Sequence, residues 1–175
     1  MQKLNRLYNG VLMTISALIL CAQTIASDVD TIASIKNLKT PTPHYFVGGQ
    51  PTVEQFDALA EAGVVHVINL RPVSETPKLN EASLVEGRGM IYHSLPVDGA
   101  AGLTLSNIKT FDQLLKLTED EKVFLHCASG NRVGALMALR SVLIYGEDKD
   151  VAILEGKAWG LTHLEPEVLR LITGL

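Results

Sequence analysis

Cysteine is scarce in this chain: Cys21 and Cys127 are the two thiols in 175 residues. Two thiols exclude a disulfide framework and any metal site built from several thiolates. Aromatics make up 5% of the residues while aliphatics and alanine are plentiful, which argues against a β-sandwich and for an α/β core. Basic runs are absent and the formal net charge is −4, so no nucleic-acid partner is expected. His44, His66, His93 and His163 fall at no metal-ligand spacing and are read as structural or surface residues, with no metal or cofactor expected. Trp159 is read as packing. No repeat, heptad or low-complexity segment is visible.

The apolar run Val11 to Ala22 is about a dozen residues, too short to span a bilayer comfortably. Lys3 and Arg6 precede it, and Thr24 and Ala26 stand three and one positions before Ser27. That layout predicts a signal peptide over residues 1–26, hence an exported, periplasmic protein without stable membrane insertion after cleavage. An uncleaved anchor is the alternative; a lipoprotein cut at Cys21 is disfavoured by bulky Leu20. Removing 26 of 175 residues leaves 149, the size of one domain, and losing two cations moves the charge from −4 to −6. Cys127 then has no intramolecular partner. An unpaired thiol in an oxidising compartment is either buried and inert or kept for its reactivity.

Residues 27–43, ending Thr40-Pro41-Thr42-Pro43, read as a polar lead-in arm, with the domain running over 44–175. Strands are predicted at His44–Val47, Val64–Leu70, Met90–Val97 and Lys122–His126. Helices are predicted from Thr52 to before Gly63, and over Asn80–Glu86, Thr104–Thr118, Arg132–Tyr145, Lys149–Lys157 and Glu165–Ile172. In the third, Ile108, Phe111, Leu114 and Leu115 form the buried stripe, with Lys109, Asp112, Lys116 and Glu119 outside. The alternation predicts an α/β fold: an open, mainly parallel sheet of four to five strands flanked by helices. No oligomer signal stands out, so a monomer is expected.

The segment Val123-Phe124-Leu125-His126-Cys127-Ala128-Ser129-Gly130-Asn131-Arg132-Val133-Gly134 carries the chemistry. A buried strand ends, a loop containing Gly130 follows, and an apolar helix begins. In open parallel sheets ligands bind just beyond the carboxyl ends of strands, where Cys127 sits. The unpaired N–H groups and positive end of the following helix stabilise a thiolate and cradle a tetrahedral anion. Arg132, five positions on, can close a guanidinium fork over that anion. Gly130 allows the turn that aims successive N–H groups inward. The alternative is a small core cysteine after a strand.

Ester hydrolysis at such a loop needs an acid for the leaving oxygen. Asp98, 29 residues before Cys127, opens a Gly-rich loop after a strand and is the first candidate, although Asp-Gly is also an ordinary turn; Glu75 is the substitute. His126 either positions the cysteine or is a strand-end core histidine. Arg71 either adds positive field to the pocket or forms a salt bridge, perhaps with Glu75.

These residues resemble the active loop of the protein-tyrosine-phosphatase superfamily, in particular its bacterial beta-lactamase-hydrolase-like, phosphatase-like branch. Gly49-Gln50-Pro51-Thr52, Val67-Ile68-Asn69-Leu70-Arg71-Pro72, Leu95-Pro96-Val97 and Gly160-Leu161-Thr162-His163-Leu164-Glu165-Pro166 resemble the same branch, which extends the similarity over about residues 44–168. The resemblance implies a dual-specificity-phosphatase-like fold and a phosphoric monoester hydrolase acting on a phosphorylated substrate. Cys127 would be the nucleophile, Arg132 the phosphate clamp and Asp98 the general acid. His126, Ala128, Ser129, Gly130, Asn131 and Arg71 would surround the phosphate. Two departures stand out. Four residues rather than the usual five separate Cys127 from Arg132, and Val133 replaces the usual Ser or Thr. The four-residue spacing also resembles the rhodanese loop, in which the cysteine carries a persulfide. A sulfurtransferase and a catalytically silent anion-binding module are therefore the rival expectations.

Overall fold

The computed structural model describes residues 30–174; the signal peptide expected over 1–26 and the start of the arm lie outside them. Strands β1 (Lys39–Thr42), β2 (Tyr45–Gly48), β3 (His66–Asn69), β4 (Ile91–Ser94) and β5 (Val123–His126) form one sheet in the order β1-β2-β5-β3-β4. The β1–β2 pair is antiparallel and all others are parallel. The expected mainly parallel sheet is therefore present, with the antiparallel pair confined to one edge.

The helices are α1 (Val53–Glu61), α2 (Glu81–Glu86), α3 (Leu105–Leu117), α4 (Asn131–Leu143), α5 (Lys149–Ala158) and α6 (Glu165–Thr173). Local sequence explains their starts. Thr52 caps α1 in a reciprocal box with Gln55, each side chain bonding the other's backbone N–H. Asn80, Thr104 and Asp148 cap α2, α3 and α5 through their side-chain oxygens. A short 3-10 turn, Val73–Glu75, follows β3.

Side chains alternate across β5, so the sheet has two cores. Phe124 meets Phe56, Leu59, Val67 and Val85 on the α1–α2 face. Val123, Leu125 and Cys127 meet Ile108, Phe111, Val133 and Leu136 on the α3–α4 face. The same alternation sends His126 to the α2 side and Cys127 to the α4 side, which decides each residue's partners.

Two expectations need correction. Residues 30–43 are not a detached arm: Ile32 and Ile35 are buried in the α1–α2 core and Lys39–Thr42 is an edge strand. The prolines at 41 and 43 fit an edge, where not every N–H has to pair. Asp112 is not on the outside of α3 but only 6% exposed, because Arg140, Lys116 and Tyr145 converge on its carboxylate. Trp159 is packed as expected, its ring against Tyr45 at 5.1 Å between centroids.

Candidate active site

β5 lies between β2 and β3: the chain passes its place once, from β2 to β3, and returns from β4 past β3 to fill it. Loops therefore diverge at its carboxyl end, the place where open α/β sheets hold ligands. Residues 127–130 occupy that end. Gly130 adopts φ +84°, a left-handed conformation that other residues rarely hold, and it caps α4 directly. Gly134, one turn on, lets α4 lie against α5: a Cβ there would stand 2.1 Å from the Leu161 nitrogen.

Cys127 is 1% exposed and is a free thiol. Arg132 is 8% exposed and its head is fixed from several sides. Its Nη1 donates to Val97 O at 2.8 Å and to Leu70 O at 3.4 Å. Nη1 and Nη2 also form a two-pronged pair with Glu75, at 2.7 and 2.8 Å. The Cys127 side chain lies within electrostatic reach of this guanidinium. Burial works against its cation, but Glu75 and Cys127 outweigh burial and raise its pKa. The arginine is thus fixed at the cysteine loop by groups from the connections after β3 and β4.

Glu75 also receives Arg71 Nε at 3.0 Å, so the Arg71–Glu75 salt bridge left open by the sequence is formed. Arg132, ahead of Arg71, holds the Glu75 carboxyl below the usual range despite burial acting the other way. A carboxylate so held has no proton to donate near neutrality. Asp98 is exposed and directly follows Val97, whose carbonyl receives Arg132, so it borders the same site.

Around the loop, Ala128 is exposed and Ser129 half-buried, its carbonyl accepting from Asn37 Nδ2 at 3.1 Å. The Asn131 side chain, expected to face the anion, turns to the 160–164 loop instead. Its Oδ1 accepts from Thr162 N at 2.7 Å, Thr162 Oγ1 at 3.0 Å and Leu164 N at 3.4 Å. Its Nδ2 pairs with His163 Nε2 at 3.0 Å. Only the Asn131 backbone remains for an anion. Val133 is fully buried in the core, so the position after the arginine contributes no side chain to the site.

Two functional neighbours escaped sequence reading. Glu81 pairs with His126 and Gln50 joins Glu81 to Arg71, at 2.7 Å and 2.7 Å for the Glu81 bonds and 2.8 Å for the Arg71 bond. In sequence Glu81 resembles an ordinary first-turn acid of a short helix, and Gln50 stands in a polar turn with no chemical signature of its own. Among the described residues no group of three or more His, Cys, Asp or Glu converges as a metal site.

An α/β sheet with a cysteine-and-arginine loop at the end of its central strand defines a phosphatase-type domain of the dual-specificity and tyrosine-phosphatase architecture. Residues 26–157 match the family model described as DSP-PTPase phosphatase fused to NAD+ kinase, and the chain belongs to this family. A beta-lactamase hydrolase-like protein of Xylella fastidiosa (strain Temecula1 / ATCC 700964) is 34% identical over 118 residues, 65% of this chain and 27% of that protein. The chain thus spans about a quarter of the length of the curated relatives it matches. A candidate phosphatase (DUF442) of Shewanella putrefaciens CN-32 is 25% identical with a TM-score of 0.64, covering 83% of this chain and 95% of that one. TpbA of P. aeruginosa, solved in complex with pTyr, shares the fold at a TM-score of 0.57 and 19% identity, covering 79% of this chain and 83% of its own.

Proposed function

We propose that this protein hydrolyses phosphomonoesters through a cysteinyl-phosphate on Cys127. The observation that carries the reading is Arg132, buried at the start of α4 five residues after Cys127, with its head fixed by Glu75, Val97 and Leu70. In the first step the Cys127 thiolate attacks phosphorus, the S–P bond forms and the ester P–O bond breaks. Asp98 gives its proton to the leaving oxygen. In the second step water attacks phosphorus, Asp98 takes a proton from it, the S–P bond breaks and inorganic phosphate leaves with the thiolate restored. Arg132 and the N–H groups of the loop stabilise the charge of both transition states. Glu75 is a holder of Arg132 in this scheme, because the ion pairs leave it unprotonated. An aryl phosphate such as phosphotyrosine fits the class, as in the TpbA complex. Export to the periplasm and a monomeric state belong to the same proposal.

The test is to assay the reduced protein for aryl-phosphate hydrolysis and, in parallel, for thiosulfate-to-cyanide sulfur transfer, each against Cys127→Ser. Hydrolysis that vanishes in the variant is the expected result. Asp98→Asn should slow alkyl esters more than aryl esters, whose leaving groups need less protonation. Sulfur transfer without hydrolysis overturns the proposal in favour of a persulfide enzyme; activity in neither assay leaves an anion-binding module.

A further inference from the structure

The segment before β1 is fastened to the Cys127–Arg132 loop. Ile35 is buried, and Lys36 O accepts from Gly49 N at 2.8 Å. Asn37 then takes φ 56°, the one positive value outside glycine among the described residues. Asparagine is among the few residues that hold such a left-handed turn. The turn aims its side chain at the loop, where Nδ2 donates to Ser129 O at 3.1 Å. The opposite flank is as close. A Cβ on Gly160 would stand 3.1 Å from Gly130 O, and Thr162 Oγ1 donates to Asn131 Oδ1 at 3.0 Å.

Between these flanks lies a cavity of about 350 Å³. Asn37, Leu38 and Lys39 wall one side, Ser129 the loop end, and Lys157 and Thr162 the other side. No carboxylate is among its lining residues, although the chain carries a net charge of −4. The lysines bring two ammonium groups, and the Ser129 hydroxyl and the second N–H of Asn37 add neutral donors. Lys39 is exposed and forms no ion pair among the described residues. Lys157 meets Glu165 Oε1 at 2.9 Å, a half-exposed pair of small net worth that an incoming anion can replace. Donors gathered without an acid suit an anion, and ammonium groups bind phosphate as point charges. Ser129 is two residues beyond Cys127, which puts their Cα atoms within roughly 7 Å. An anion in the cavity and a phosphate at Cys127 can therefore belong to one small molecule.

We propose that this cavity is a substrate subsite, which takes a second phosphate of a small bisphosphorylated substrate while the first sits on the Cys127–Arg132 loop. Lys39 and Lys157 set the preference. The proposal rests on the phosphatase reading and names the substrate class for it. The test compares phenyl phosphate with catechol, resorcinol and hydroquinone bisphosphates on the reduced protein. The best-spaced bisphosphate should show about tenfold higher kcat/KM, beyond the statistical gain of carrying two esters, the effect of two exposed charge pairs acting together. Lys39→Gln combined with Lys157→Gln should return the ratio to the statistical gain. Lys149→Gln, at the other end of α5, should leave the ratio in place. A ratio that survives the double substitution, or falls equally with Lys149→Gln, overturns the proposal. A gain confined to doubly phosphorylated peptides overturns the assignment to a small substrate. Calorimetry on Cys127→Ser reads binding without turnover, with phenyl phosphate and the same bisphosphates as ligands. Lysine-dependent tighter binding of a bisphosphate, in a protein that hydrolyses no ester, supports the subsite and refutes the phosphatase reading alone. Hydrolysis without any bisphosphate preference refutes the subsite alone.

Discussion

Asn131 carries the sharpest test of how the loop is held. Its buried amide is the bolt between the start of α4 and residues 162–164, through three accepted hydrogen bonds and one contact with His163. Asn131→Ala removes all of them. Thr162 is exposed and its N–H can turn to water, whereas Leu164 is buried and loses its weaker bond outright. At about 1 kcal/mol for each good bond, plus the unsatisfied amide, the cost is about 2 kcal/mol, or roughly 4–8 °C in Tm for a domain of this size. Asn131→Asp keeps the three acceptor bonds and puts a negative charge in the first turn of α4, which the helix end tolerates. It should unfold close to the unsubstituted protein, yet weaken inhibition by phosphate roughly tenfold, the effect of about 1.4 kcal/mol of added repulsion. Urea unfolding followed by fluorescence suits the measurement, because the single tryptophan, Trp159, is the last residue before this loop. An Ala variant within about 0.5 kcal/mol of the unsubstituted protein refutes the account, as does an Asp variant that loses as much stability as Ala.

Three further outcomes follow from the packing and charges. Gly134→Ala drives a methyl into the backbone of Leu161 and Gly156, at 2.1 and 2.5 Å, and should cost about 3 kcal/mol or prevent folding, seen as loss of a cooperative melt. Burial raises the Asp112 carboxyl, but Lys116, Tyr145 and Arg140 outweigh it and hold it low. Its folded value is therefore depressed, so Asp112 contributes stability above the unfolded value of about 3.9 that is lost as pH falls through the folded one. Asp112→Asn should cost about 2 kcal/mol at pH 7 and converge with the unsubstituted protein in stronger acid, measured by urea unfolding at both. His93 is held low by burial and by neighbouring His66, whose Nδ1 lies 2.9 Å away. This stability is complete above the unfolded value of about 6.5 and lost as pH falls below it, so His93→Gln should flatten the melting-temperature slope just under pH 6.5.

What could be read in advance follows the range of the physics involved. Helix starts are set by neighbours: Thr52 with Gln55, Asn80 and Thr104 each cap within three residues. The parallel strands were legible because each is a short apolar run between turn signals, and the Cys127–Arg132 loop because strand, glycine and helix adjoin in sequence. β1 was missed since an edge strand need not be apolar and Lys39–Thr42 is not. Asp112 was misplaced because only the arrival of Arg140 and Tyr145 from elsewhere makes burial of its carboxylate tolerable.

Fold class, family motifs and the loop that carries the chemistry are legible along the chain, because periodicity, capping and turn chemistry act over a few residues. The partners of that loop are set by packing between distant segments. Glu75 meets Arg132 across 57 residues, Glu81 meets His126 across 45, and Asn131 meets Thr162 across 31. Charges and amides of this kind have no period along the chain, and they find one another only when the β3 and β4 loops, α2 and the 160–164 loop are brought to the same end of the sheet.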